Sequence, residues 1–153
     1  MKVVGFNGSS RKKGNTACSM NTVFAELEKA GIETEMIHVG KEKIHGCIAC
    51  HCCVNKQNEA CSMEDDLVNE WIQKMKAADC ILLGSPVHFS GVAGTMKSFL
   101  DRAFFVSSVN GGLFRHKVGA TGTWPMALTL GKWSRMQKAN RSWNFWAETW
   151  HGS

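Results

Sequence analysis

No stretch of the chain approaches the roughly 18 consecutive apolar residues that a membrane-spanning helix needs. Met1 is followed at once by a lysine and a short apolar strand, so neither a signal peptide nor a membrane partner is expected. There is no internal repeat and no low-complexity segment. A charge excess is lacking over most of the length too. Residues 1–114 hold 12 basic and 12 acidic side chains, and the net charge of +5 comes wholly from residues 115–153, with six basic and one acidic. The body of the protein therefore has no nucleic-acid signature. At 153 residues it is long enough to bury one real core. What it does have is seven cysteines. Without a leader these point to a reducing, cytoplasmic compartment, and to thiols or metal ligands before disulfides.

The opening strand, Lys2-Val3-Val4-Gly5-Phe6-Asn7, runs into Gly8-Ser9-Ser10-Arg11-Lys12-Lys13-Gly14-Asn15-Thr16. A buried strand, a glycine- and hydroxyl-rich loop and then a helix is how α/β proteins hold a phosphate, because the helix N-terminus offers unpaired N–H groups and the positive end of its dipole. Ser9, Ser10 and Thr16 add hydroxyl donors, Arg11 a cationic fork, and Asn15 stands at the helix start. The loop is neither G-x-x-x-x-G-K-[ST] nor G-x-G-x-x-G, which argues against a nucleoside triphosphate or a Rossmann dinucleotide. The plainer alternative is a solvated turn between strand and helix.

Farther along, residues 16–30 read as a helix with Asn15 as N-cap and Gly31 as its stop, and residues 33–39 as a second strand. Ser62 opens another helix, with Glu64, Asp65 and Asp66 in its first turn and Leu67, Val68, Trp71, Ile72 and Met75 on its inner face. Cys80-Ile81-Leu82-Leu83-Gly84 is wholly apolar, as a central parallel strand covered on both faces must be. Residues 85–91 form a loop at its end, and Met96, Phe99, Leu100, Ala103 and Phe104 line one more helix. Strands alternating with helices predict a three-layer, doubly wound parallel sheet whose ligand sits outside the carboxyl ends of the strands, where both special loops fall.

Between them lies Cys47, Cys50, Cys53 and Cys61, spaced C-x2-C-x2-C-x7-C, with Cys52 as an extra thiol. The triplet spacing lets a tight loop aim three thiolates at one iron–sulfur cube. Four thiolates also suit zinc, and the same loop can stay metal-free. Cys18 and Cys80 read as small buried hydrophobes.

With these segments placed, the chain resembles the flavodoxin-like NAD(P)H-dependent FMN reductase family, including its iron–sulfur flavoprotein branch. The matching motifs are the loop from Gly8 to Thr16, Gly84-Ser85-Pro86-Val87-His88-Phe89-Ser90-Gly91-Val92, and Met96-Lys97-Ser98-Phe99-Leu100-Asp101-Arg102, within residues 1–120. The resemblance implies a flavodoxin-like fold, FMN phosphate on Ser9, Ser10, Arg11, Asn15 and Thr16, and the isoalloxazine ring beside Pro86, Val87, His88, Phe89, Ser90 and Gly91. It implies NAD(P)H as co-substrate, a small-molecule electron acceptor, and a homodimer or homotetramer. In the iron–sulfur branch, cysteines matching Cys47, Cys50, Cys53 and Cys61 hold a [4Fe–4S] cluster. No side-chain acid or base is nominated, since flavin N5 accepts hydride directly. The family commonly has Pro where Ser10 stands and Tyr where His88 stands; this chain has no tyrosine at all.

Residues 121–153 depart from the family's pattern. The usual fifth strand is not legible there, and five of the six tryptophans fall between Trp124 and Trp150. One reading is a basic amphipathic helix, with Trp133, Met136, Trp143, Ala147 and Trp150 on one face opposite Lys138 and Arg141, suited to a membrane surface or a partner. The preferred reading is a deletion with a shifted frame. Back-translated from the third base, residues 121–126 become Trp-Asn-Val-Ala-His and residues 146–152 become Gly-Arg-Asn-Met-Ala-Trp, both similar to segments near the family's end. The expected organisation is an FMN-binding domain over residues 1–120 and an atypical tail over 121–153. The functions in competition are an FMN-dependent oxidoreductase, an iron–sulfur flavoprotein electron carrier, and a family member that has lost part of its flavin site.

Overall fold

The computed structural model describes residues 1–125. The Trp-rich stretch read as a helix or a shifted frame lies outside them, but for its first five residues. The elements run β1 (Lys2–Asn7), α1 (Asn15–Lys29), β2 (Glu33–His38), α2 (Cys52–Lys56), α3 (Val68–Ala77), β3 (Cys80–His88), β4 (Gly91–Val92), α4 (Gly94–Val109) and β5 (Val118–Pro125). β1 pairs in parallel with β2 on one side and β3 on the other, and β3 in turn pairs in parallel with β5. The short β4 folds back antiparallel on the end of β3. This is the doubly wound, flavodoxin-like sheet that the sequence predicts. Among the described residues it has four parallel strands, and β5 pairs only with β3. No described helix is long and apolar enough to cross a membrane.

Alternation along β1 decides the layering. Val4 and Phe6 point into a large core with Val68, Trp71, Ile72 and Met75 of α3 and Met96, Phe99, Ala103 and Val106 of α4. The Phe6, Trp71 and Phe99 rings meet there with centroids 4.9 to 6.4 Å apart. Val3 points the other way, into a smaller core with Met20 and Phe24 of α1 and Leu82 of β3. Gly5 shares that face, where a Cβ would sit 2.6 Å from Phe24. Glycine thus lets α1 lie close on the sheet.

Several boundaries differ from the sequence reading. Gly14, extended at φ −85°, takes the N-cap position of α1, and Asn15 is already helical. β3 does not stop at Gly84 but continues through Pro86 to His88. β5 runs on past Ala120, the expected end of the FMN-binding domain, with residues 121–125 in register with residues 83–87 of β3. α3 starts at Val68 rather than Ser62. The Asp66 carboxylate accepts the Val68 N–H at 3.1 Å and also pairs with Arg102, which turns the chain before the helix begins. Glu64 and Asp65 therefore precede the helix, and Leu67 is 44% exposed instead of facing inward. Phe104 is exposed too, edge-on to Phe114, while Val106 is buried and Phe105 and Val109 pack against the core.

Candidate functional site

The loop after β1 is built by short-range bonds. Asn7 is fully buried; its Oδ1 accepts the Ser9 N–H at 2.9 Å, and Ser9 Oγ accepts the Arg11 N–H at 3.1 Å. Gly14 N–H closes the turn onto the Arg11 carbonyl at 3.1 Å. No side chain caps α1. Its first N–H groups thus face the loop, with the dipole behind them. Ser9 and Thr16 are buried, Asn15 is half-buried, and Ser10, Arg11, Lys12 and Lys13 project into solvent. Gly40 backs the loop so closely that a Cβ there would fall 2.2 Å from the Ser9 carbonyl. The Asn7 Nδ2 has no acceptor among the described residues although it is buried. A buried orphan donor, an open helix end and inward hydroxyls are what a phosphate cradle requires.

The second loop meets the first. Gly8 N–H donates to the Gly84 carbonyl at 2.7 Å, and a Cβ on Gly8 would collide with Met96 at 2.8 Å. A Cβ on Gly84 would press on Met20 and Thr16. Both segments thus sit at the carboxyl end of β1 and β3, where the order of the sheet reverses. Beyond Gly84 the sequence predicts a loop, and the structure has a hairpin. Val87 and His88 pair with Val92 and Gly91, and the turn residues Phe89 and Ser90 have φ of 44° and 64°. A two-residue hairpin with positive φ at both positions, as in a type I′ turn, costs about 1 kcal/mol or more for each when neither residue is glycine. Ser85 locks the base, its Oγ accepting the Ala93 N–H at 3.0 Å. Pro86 and Val87 are half-buried, whereas His88, Phe89, Ser90 and Gly91 are exposed.

The cysteine loop forms a third feature, on the α3 and α4 side. Cys47, Cys50, Cys53 and Cys61 line one cleft together with Ser62, Met63, Phe105 and Arg102. Cys47 and Cys50 are exposed, Cys53 and Cys61 buried, and all are free thiols. The loop is pinned from both sides. Asn69 brackets Cys61, accepting its N–H at 2.7 Å and donating to its carbonyl at 2.9 Å, and Asn110 accepts the Glu59 N–H at 2.9 Å. Ala49, His51, Gln57 and Glu59 all have positive φ, so the chain is held in a shape that non-glycine residues disfavour. Among the described residues, no three His, Cys, Asp or Glu side chains converge on one metal-ion position. Ser62, hydrogen-bonded to Cys50 at 3.3 Å, and then Cys52 hold the Cys50 thiol below the usual range. Burial pushes the Cys53 thiol up, and the charges of Cys61, Cys50 and Cys47 add to it. Cys18 and Cys80, expected to be buried, are each only partly so.

Arg102 is the group the sequence analysis missed. Its side chain is wholly buried, ion-paired with Asp66, and donates to the Met63 carbonyl at 2.9 Å. Burial alone would lower its pKa, but the Asp66 carboxylate and the Cys61 thiol beside it raise it overall. The available signal was a lone cation spaced three and four residues from Phe99 and Val106 on an otherwise apolar helix face.

The chain matches the family described as NADPH-dependent FMN reductase over residues 1–139. It is 42% identical over 103 residues to an iron–sulfur flavoprotein of Methanocaldococcus jannaschii, covering 67% of this chain and 52% of that one. A second iron–sulfur flavoprotein, from Methanosarcina thermophila, is 31% identical over 131 residues, covering 86% of this chain and 63% of that one. The chain spans about half the length of the first curated relatives it matches. Among solved structures, an NAD(P)H:quinone oxidoreductase from Methanothermobacter marburgensis superposes with a TM-score of 0.64 at 12% identity, covering 89% of this chain and 90% of that one. At that identity the likeness is one of fold.

Proposed function

The chain belongs to the NADPH-dependent FMN reductase family, and from that premise we propose that it is an FMN-dependent oxidoreductase passing reducing equivalents from NAD(P)H through FMN to a small acceptor. The observation that carries this reading is the meeting of the loop after β1 with the β3–β4 hairpin, bonded through Gly8 and Gly84 at the sheet's reversal point. Ser9, Ser10, Arg11, Asn15 and Thr16 would hold the phosphate, with the α1 dipole favouring its charge. Asn7 keeps Ser9 in place and has a buried donor with no acceptor among the described residues. Residues 86–91 would lie along the ring, Pro86 stiffening the approach and the exposed hairpin tip leaving one ring face open to NAD(P)H and the acceptor. Bound there, FMN supplies hydride acceptance and onward electron delivery. The test is to load the full chain with FMN without oxygen and add NADPH or NADH in turn. Bleaching of the visible flavin band supports the reading. Failure to retain FMN, or a bound flavin that neither nucleotide bleaches, overturns it.

A second reading, an iron–sulfur flavoprotein electron carrier, has its own observation. Cys47, Cys50, Cys53 and Cys61 share one cleft without converging on a point. That arrangement suits a [4Fe–4S] cube, whose four corners lie apart, better than a zinc ion, which draws each sulfur to about 2.3 Å. The positive φ at Ala49 and His51 between the cysteines fits a loop shaped for such a ligand. Iron and acid-labile sulfide in stoichiometric amount after anaerobic reconstitution would support this reading, and their absence would sink it.

A further inference from the structure

The four-cysteine cleft is walled by a buried cation, and that cation has hydrogen-bonding capacity to spare among the described residues. Arg102 lies on α4 with no solvent exposure of its side chain. Nη1 is engaged by Asp66 and, at 3.4 Å, by the His45 carbonyl; Nη2 donates to the Met63 carbonyl at 2.9 Å. Nε–H is buried and has no acceptor among the described residues. An arginine taken wholly out of water at the cost of a carboxylate partner, and still left one donor short, is poor design for stability alone. Replacing such a pair with apolar side chains is often neutral or stabilising. The guanidinium lines the cleft together with Cys47, Cys50, Cys53 and Cys61.

On the reading that the four thiolates hold a [4Fe–4S] cluster, we propose that Arg102 is its tuning residue, a buried cation and N–H donor that raises the cluster's reduction potential. The physical reason is charge. Four thiolates leave a [4Fe–4S] cluster anionic, and taking up one electron makes it more so; Arg102 lines the cleft while its partner Asp66 does not, so the ion pair presents its positive, N–H-bearing end to the cluster and favours the reduced form. Asp66 is the positioning residue. It holds the guanidinium, and through the Val68 N–H it ties that guanidinium to the start of α3. The placement on α4 also fits electron exchange with the flavin, because the helix begins directly after the hairpin and Arg102 stands eight residues later, about 12 Å along the axis.

The experiment is potentiometry on the full chain reconstituted anaerobically with iron and sulfide, following the reduced cluster by its paramagnetic resonance signal. Two variants are compared with the parent. Arg102→Gln with Asp66→Asn removes the charged pair while keeping a polar side chain at each position and the Oδ1 that accepts the Val68 N–H. Arg102→Lys keeps the charge and removes the Nε–H. The double variant is expected to bind cluster in parental amount but to be reduced at least tenfold less favourably, a fall of about 59 mV. Arg102→Lys is expected to lie between the two, with an altered resonance signal. If the double variant fails to fold, Arg102→Lys decides alone. Cluster-loaded variants with potentials within threefold of the parent's equilibrium overturn the role of Arg102 and leave the cluster reading standing. A parent that takes up no iron overturns the cluster reading itself, and this role with it.

Discussion

The phosphate cradle can be tested by removing two hydroxyls and nothing else. Ser9 and Thr16 are 7% and 2% exposed, so any ligand they touch is held out of bulk water. Ser9→Ala with Thr16→Val keeps the backbone and nearly the volume; the valine methyls fill the space in which Thr16 now packs near Gly84. Ser9 Oγ accepts the Arg11 N–H, which leaves its own proton for a phosphate oxygen. A hydrogen bond to a charged acceptor contributes about 1.5–3 kcal/mol, and losing the Arg11 contact loosens the loop in the free protein by about 1 kcal/mol at most. Two such bonds at the lower end, discounted for partial replacement by water, amount to about 2–3 kcal/mol, or about a 30- to 150-fold rise in Kd. The assay is quenching of FMN fluorescence on titration with protein, run beside riboflavin, which has the ring without the phosphate. FMN affinity should fall to near that for riboflavin, and riboflavin binding should hold constant. An FMN Kd within threefold of the parent, in a double variant of unchanged thermal midpoint, would refute the assignment.

Four further outcomes are expected. Replacing Phe89-Ser90 with Asn-Gly should raise stability by about 1 kcal/mol, because those residues accept the positive φ now imposed on Phe89 and Ser90, and chemical denaturation reads it directly. His88→Tyr should shift the spectrum or potential of bound FMN, whereas a flavin that ignores the change places His88 away from the ring. Glu35→Gln should cost less than about 1 kcal/mol at neutral pH, since the Glu35 bridges to Lys74 and Lys2 are partly solvated. Those lysines hold the Glu35 carboxyl below its ordinary 4.5, so its contribution is present above that value and lost as pH falls through the lower folded one. The gap between parent and variant should therefore close in acid, and a gap that widens there would contradict the pairing. Finally, Phe104→Lys should weaken self-association in sedimentation at micromolar protein if the exposed Phe104 face of α4 joins two copies, and a parent that sediments as a monomer removes that proposal.

The parallel strands and the first loop were legible because their signals are local. Val3, Val4 and Phe6 are apolar on both faces of β1, and Gly14 and Gly31 bracket α1 closely at its two ends. The features that escaped depend on partners far along the chain. Nothing near Asp66 announces that it meets Arg102, 36 residues away, and so the first turn of α3 was placed too early. Pro86 reads as a loop residue, yet it lies within β3 between the stretch paired with β1 and the two residues paired with β4, where one missing N–H is tolerated. The cysteine spacing pointed to one shared site, but the cation that walls it sits on another helix and appears in sequence as one more charge.

The close approach of Gly8 to Gly84 has a thermodynamic consequence. With that bond made, the residues around both loops are already ordered before any ligand arrives, and each residue that need not be frozen on binding saves about 1–2 kcal/mol of conformational entropy. Affinity of the two half-sites is then linked. A substitution that lifts the first loop off Gly84 also releases the base of the hairpin, so paired substitutions across the contact should be non-additive by about 0.5 kcal/mol or more, while pairs within the cysteine cleft and the first loop should simply sum. One glycine-to-glycine hydrogen bond thereby makes two short motifs, 76 residues apart, behave as a single binding surface.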